Sequence, residues 1–198
     1  MVVIGVLALQ GAFAKHIEVL HKLGVKAVEV RKPQDLAECD GLIIPGGEST
    51  TMMKQMAFIN FFDAFREFGA KKPVFGTCAG IILMSHKIIS DSMKPFNLLD
   101  ITVERNAFGR QVESFHTDLD VVLSGNGKSQ EVPAVFIRAP RIRQVGTDVN
   151  VLAMYEGEPV LVQQGRHLGA TFHPELSSNS NIHVFFIEKV KSCKEKRK

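Results

Sequence analysis

Cys78 lies in Val74-Phe75-Gly76-Thr77-Cys78-Ala79-Gly80, where an apolar run ends at a glycine just before a thiol. The pattern G-x-C-x-G is the thiol form of the nucleophile elbow, in which a buried strand turns sharply into a helix and leaves one side chain at the tip. Its glycines let neighbouring backbone approach closely and accept strained angles. The positive end of the following helix favours thiolate over thiol. Such a thiol attacks carbonyl carbon and needs a base.

The chain offers seven histidines. His16 and His21 fall in the first expected helix, His86 in the helix after the elbow and His183 in the last helix. Each of these reads as a surface or packing residue. His116 and His167 sit near loops or strand ends and are ambiguous. His173 differs, because it follows an expected strand over 168–172, at the edge where ligands gather in open α/β sheets. Pro174 disfavours helix at His173. Residues i and i+2 of extended chain share a side, so Glu175 can reach back and fix the imidazole tautomer, as the third member of a triad does. The same His173-Pro174-Glu175 also reads as a plain turn.

A third segment is Pro45-Gly46-Gly47-Glu48-Ser49-Thr50-Thr51. Two glycines after a buried strand supply N–H groups free to face a ligand. One of them, with the N–H of Ala79, can hold a tetrahedral oxyanion. A Gly-Gly peptide can also flip, which would make the oxyanion hole switchable. Glu48 is placed to meet a substrate ammonium. The bland alternative is a turn with Ser49 or Thr50 as a helix N-cap. The Walker spacing and its Lys are missing, so this is no phosphate loop. Arg105 and Arg138 each follow an expected strand. With Glu48 they suit the carboxylate and ammonium of an amino acid, although a lone Arg is ordinarily a solvated or structural charge.

The surrounding elements must bring these pieces together. Residues 2–9, 27–30, 41–45 and 73–75 read as strands, and the nearly unbroken apolar runs fit strands buried on both faces. Phe13, Ile17, Leu20 and Leu23 form one helical stripe, closed by Gly24. A short helix falls near 35–38. Met52, Met56, Ile59, Phe62 and Phe65 form one amphipathic helix, and 80–89 form the helix behind the elbow. This β-α alternation implies a mostly parallel sheet between two helical layers. The second half reads as strands over 101–104, 119–123, 134–138, 151–155, 160–164 and 168–172, added to the same sheet, with a surface loop at 124–128. Ile182, Phe186, Val190 and Cys193 line a final helix, so Cys193 reads as a small buried hydrophobe and Cys39 as structural.

The 198 residues suit one domain over 1–198. A formal charge of +3 is too small to imply nucleic acid, and the excess sits in a basic tail over 191–198. No apolar run is long enough to span a membrane. Three cysteines without a C-x-x-C pair argue against disulfides and a metal site, and a cytoplasmic location fits.

Taken together, Gly76-Thr77-Cys78-Ala79-Gly80, Pro45-Gly46-Gly47-Glu48-Ser49-Thr50-Thr51 and His173-Pro174-Glu175 resemble the class I, triad-type glutamine amidotransferases. Within that family the similarity is greatest to the glutaminase subunits of pyridoxal 5'-phosphate synthase. Further matches are Gly5-Val6-Leu7-Ala8-Leu9-Gln10-Gly11, Val103-Glu104-Arg105-Asn106-Ala107-Phe108-Gly109-Arg110-Gln111 and Phe136-Ile137-Arg138-Ala139-Pro140. The resemblance implies an α/β three-layer sandwich of flavodoxin-like kind, with a mixed, mostly parallel sheet. It implies hydrolysis of L-glutamine by Cys78, His173 and Glu175 through a γ-glutamyl thioester. Gly47 and Ala79 N–H groups would form the oxyanion hole. Gly46, Gly47, Glu48, Ser49, Arg105, Ile137 and Arg138 would bind glutamine, with Gln10 a further candidate. No cofactor is implied. The ammonia would pass to a synthase subunit within a large hetero-oligomer, several glutaminase subunits surrounding a synthase core. Two rivals share part of the pattern. A glutaminase subunit for histidine or folate synthesis shares the triad but not the segment from Pro45 to Thr51. A DJ-1-like cysteine hydrolase shares the elbow but places His directly after the Cys, where this chain has Ala79.

Overall fold

The computed structural model describes residues 1–105, 114–123 and 128–197. The matched stretch Asn106-Ala107-Phe108-Gly109-Arg110-Gln111 and most of the expected loop at 124–128 lie outside the described residues. The first half runs β1 (Val3–Leu7), α1 (Phe13–Lys22), β2 (Lys26–Val30), β3 (Gly41–Ile44), α2 (Ser49–Phe58), α3 (Phe62–Lys71), β4 (Val74–Thr77) and α4 (Ala79–Met84). The second half runs β5 (Lys87–Ile88), β6 (Ile101–Glu104), β7 (Phe115–Val121), β8 (Gln130–Phe136), β9 (Arg141–Val145), β10 (Asn150–Tyr155), β11 (Glu158–Gln164), β12 (His167–Ala170) and α5 (Asn181–Glu195).

The main sheet has the order β10-β11-β12-β4-β3-β1-β2. The strands from β12 to β2 pair in parallel, while β11 and β10 join antiparallel. The strand order reverses between β1 and β3, the arrangement of flavodoxin-like sheets. Alternate residues face opposite layers. Leu42, Ile44 and Val74 pack with α2, α3 and α4. Ile4, Val6, Ile43 and Phe75 pack with α1 and α5. Both faces are covered, which is why these strands are apolar at nearly every position. The register pairs Ile44 with Gly76 and Ala170 with Thr77, so β3, β4 and β12 end side by side.

Four expectations change. The single helix through Met52 and Phe65 is two helices. Asn60 takes a left-handed φ of 54°, and Phe61 N–H bonds Met56 C=O at 2.9 Å. This is a Schellman-type ending with Asn in the left-handed place, and it turns Phe61 into the core. The helix expected over 80–89 ends at Met84. Beyond it, His86 and Ile89 N–H groups bond Ile101 and Val103 carbonyls, so strand pairing with β6 replaces helix. The second half does not all join the main sheet. β5-β6-β9 and β7-β8 form separate small sheets, and β9 escaped expectation because Ile142 is its one buried residue. Cys193 is half-buried rather than buried, its thiol 3.8 Å from Lys71 C=O. Among the described residues no helix is long and apolar enough to cross a membrane.

Candidate active site

β4 leaves the sheet at Thr77, and Cys78 then adopts φ 48° and ψ −104° before α4 begins at Ala79. A left-handed φ on a side-chain-bearing residue costs about 1–2 kcal/mol. The turn holds because Cys78 N–H bonds Ala170 C=O at 2.9 Å and because the backbone crossing is very close. A Cβ on Gly76 would meet the Gly80 carbonyl carbon at 2.6 Å, and one on Gly80 would meet Ile44 O at 2.2 Å. The Cys78 thiol reaches Ile137 C=O at 3.8 Å.

His173 is anchored by its N–H to Val135 C=O at 2.8 Å. Its Nδ1 lies 2.7 Å from Glu175 Oε1, which leaves the other ring nitrogen for Cys78. Glu175 sits in a single turn of 3₁₀ helix, Pro174–Leu176. Both side chains are buried. Burial opposes the charged form of His173, but hydrogen bonds with Cys78 and Glu175 outweigh it and raise its pKa to about 10. Burial likewise opposes ionisation of Glu175, yet His16 and His173 together hold its carboxyl below the ordinary range. The expected base and its orienter are thus hydrogen-bonded to each other, and the ring is coupled electrostatically to the thiol.

The glycine segment leaves β3 beside them. A Cβ on Gly46 would lie 2.2 Å from His173 Cε1, and one on Gly47 would lie 2.5 Å from Gln10 Nε2. Gly46 C=O accepts from Ala12 N–H at 3.1 Å. Gln10 Nε2 donates to Glu48 C=O at 2.9 Å. The N-cap of α2 is Glu48, not Ser49 or Thr50. Its carboxylate accepts from Thr50 N–H at 3.0 Å, Thr51 N–H at 2.6 Å and the Thr51 hydroxyl at 2.7 Å. Burial opposes its ionisation, but the Thr51 hydroxyl and the Thr50 and Thr51 N–H groups bring its pKa down to about 2. Arg105 bridges Glu48 at 3.3 Å and Thr50 Oγ1 at 3.0 Å, and it also pairs with Asp91.

A cavity of about 290 Å³ is lined by Gly46, Gly47, Glu48, Ser49, Cys78, Ala79, Arg105, Ile137, Arg138 and His173. Gln10 and Glu175 stand behind that lining. Every residue expected from the sequence is therefore in or against one cavity. A larger groove of about 540 Å³ lies by Lys71, Arg166, Glu188 and Cys193, and it contains none of these residues. Cys39 is buried and bonded to Asp35 C=O at 3.3 Å, and burial pushes its thiol up to about 11, which suits an inert core cysteine. His16, expected as a surface or packing residue, belongs to the surroundings of the site. It lies 3.3 Å from Glu175 Oε2, and its one signal is a polar ring inside the apolar stripe of α1.

Known proteins match this chain over nearly its whole length. The pyridoxal 5'-phosphate synthase subunit PdxT of Niallia circulans is 50% identical over 192 residues, covering 96% of this chain and 99% of that protein. The subunit of the same name from Thermotoga neapolitana is 47% identical over 189 residues, covering 95% and 99%. A crystal structure of a glutamine amidotransferase superposes with TM-score 0.87 at 44% identity, covering 95% of this chain and 98% of that one. The PurLQS structure from Thermotoga maritima, at 19% identity and TM-score 0.64 over 97% of this chain and 96% of that one, shares the fold. Residues 6–192 match the SNO glutamine amidotransferase family as a whole, and the chain belongs to that family.

Proposed function

We propose that this chain, as one domain over 1–198, is the glutaminase subunit of a pyridoxal 5'-phosphate synthase. The observation that carries the chemistry is the run Cys78, His173, Glu175 at the edge of a cavity walled by Gly46-Gly47. With the proton held on His173, the Cys78 sulfur attacks the side-chain amide carbon of L-glutamine. The tetrahedral oxyanion is received by the N–H groups of Gly47 and Ala79. Collapse breaks the C–N bond, and His173 gives its proton to the leaving ammonia. His173 then takes a proton from water, which attacks the γ-glutamyl thioester and releases L-glutamate. Glu175 keeps the His173 ring oriented throughout.

Glu48, Ser49, Gly46, Arg105, Ile137 and Arg138 line the cavity and supply the charges and carbonyls that fit an α-amino acid. No cofactor enters these steps. The partner is a synthase subunit that consumes the ammonia, and the names of the relatives support that assignment. The assembly is a hetero-oligomer with glutaminase subunits around a synthase core. Ammonia freed into neutral water would become mostly ammonium, which is not nucleophilic, so a sheltered transfer is required. The Gly46 carbonyl is held by Ala12 N–H, and partner docking turns the Gly46-Gly47 peptide and completes the oxyanion hole.

The test is a glutaminase assay with and without the cognate synthase, comparing wild type with Cys78→Ala. Turnover is expected in the wild-type complex alone. A glutamine-derived covalent inhibitor should label the Cys78 peptide. Labelling of Cys39 or Cys193 would overturn the site, and full turnover by the isolated chain would overturn the docking step.

A further inference from the structure

Two histidines outside these chemical steps lie directly behind the triad. His16 on α1 and His183 on α5 are both 0% exposed. His16 Nδ1 lies 3.0 Å from His183 Nε2. His16 Nε2 lies 3.2 Å from Thr77 Oγ1 and 3.3 Å from Glu175 Oε2. Glu175 Oε1 is already engaged by His173. Its other oxygen is fully enclosed and makes no hydrogen bond. The 3.3 Å approach of His16 Nε2 falls short of a hydrogen bond, and that nitrogen bonds Thr77 Oγ1 instead. An enclosed carboxylate oxygen with no donor is costly, so the His16 N–H that faces it at 3.3 Å matters to Glu175.

The charge state and tautomer follow from the surroundings. Burial holds His16 below its ordinary pKa, against the pull of Glu175 and with the help of His173. Burial also pushes His183 down to about 3. Both rings are therefore neutral, with one N–H each. With the His16 proton on Nε2, that N–H points at a carboxylate and a hydroxyl, and Nδ1 accepts from His183 Nε2–H. The one atom left over is the His183 Nδ1 lone pair, which has no partner. The opposite choice turns a His16 lone pair against the carboxylate and strands a His183 N–H in the core. Only the first choice leaves no N–H unpaired.

Leu or Phe at these two positions would fill the core without burying polar atoms. Thr77 is the residue before Cys78, so His16 touches both the strand that carries the thiol and the segment that carries the acid. We propose that His16 is a positioning residue of the triad: its Nε2–H bonds Thr77 beside the thiol and faces the outer oxygen of Glu175 across 3.3 Å, and His183 fixes the tautomer that makes this possible. The inference rests on the glutaminase reading of the site.

The experiment is a double-mutant cycle on the complex with the cognate synthase. His16→Leu should lower kcat roughly 10–100-fold and leave KM for glutamine nearly unchanged. His16→Gln, whose side-chain amide can donate from the same place, should restore most of the rate. In a Glu175→Ala background His16→Leu should add no further loss, because it acts through Glu175. An equal loss in both backgrounds overturns the proposal, as does a KM effect in place of a kcat effect. If His16→Leu fails to fold, ¹⁵N-histidine NMR of the wild-type chain decides. Neutral Nε2–H forms of His16 and His183 are expected, and an Nδ1–H or imidazolium His16 overturns the proposal. A wild-type complex without glutaminase activity would sink the glutaminase reading and leave the tautomer measurement intact.

Discussion

Gly46 lies against the His173 ring so closely that a methyl group on it would come within 2.2 Å of Cε1. The ring cannot retreat freely, because Nδ1 is bonded to Glu175 and its backbone N–H to Val135. Gly46→Ala should therefore displace the imidazole from Cys78. A misplacement on the ångström scale lowers turnover about 100-fold. Steady-state glutaminase kinetics with the synthase present check this, and an unchanged kcat would show that the ring can swing aside.

Cys78 pays for its place at the tip of the turn with a left-handed backbone. Replacing it by Ala keeps that strain, while replacing it by Gly relieves it. Both variants should lose glutaminase activity, yet Cys78→Gly should be more stable than Cys78→Ala by about 1 kcal/mol. Urea denaturation of the two proteins measures the difference. Equal midpoints would mean that the elbow stores no strain.

Glu48 serves the fold and the cavity at once. Glu48→Ala removes the N-cap of α2 and one partner of Arg105. Loss of such a cap costs about 1 kcal/mol, and the same variant should raise KM for glutamine more than it lowers kcat. Thermal unfolding and a glutamine titration read the two effects separately. A variant that loses stability but keeps its KM would confine Glu48 to helix capping.

The buried histidines predict a stability maximum near pH 6.5, their ordinary value. His173 binds its proton in the fold up to about 10. Its contribution is complete below 6.5 and is lost as pH rises toward 10. His183, pushed down to about 3, and His167, pushed down to about 4, act oppositely. In acid the unfolded chain takes up protons that these rings refuse, so stability falls as pH drops below 6.5. Glu175 and Glu48, both held low, add to the acid loss. Urea midpoints across pH should trace both flanks, and His183→Phe should flatten the acid one. An acid flank unaffected by that change would contradict the assignment.

The elbow was legible in sequence because its constraints are local. Gly76, Cys78 and Gly80 must sit at those spacings for the chain to cross itself beside Ile44. His173 and Glu175 were legible because Pro174 limits what the chain between them can do. The break at Asn60 was not, since Met52 through Phe65 keep one helical rhythm across it and the left-handed residue shows only in the backbone. His16 and His183 were hidden for a different reason. Each fits its own helix stripe as a packing residue, and their hydrogen bond joins positions 167 residues apart. The strand at Arg141–Val145 pairs with β6 through its backbone and shows almost no apolar pattern.

The position of β12 between β4 and β11 has a consequence for the growing chain. The thiol is made early in synthesis, but its base and the Ala170 carbonyl that pins the Cys78 N–H are made late. A ribosome-bound chain that stops before His167 holds the elbow sequence with one edge of β4 unpaired and no imidazole beside the sulfur. Such distant pairings form late in folding. On the proposed glutaminase reading, Cys78 gains its imidazole only when the sheet is complete, and a fragment ending before His167 carries the elbow without it.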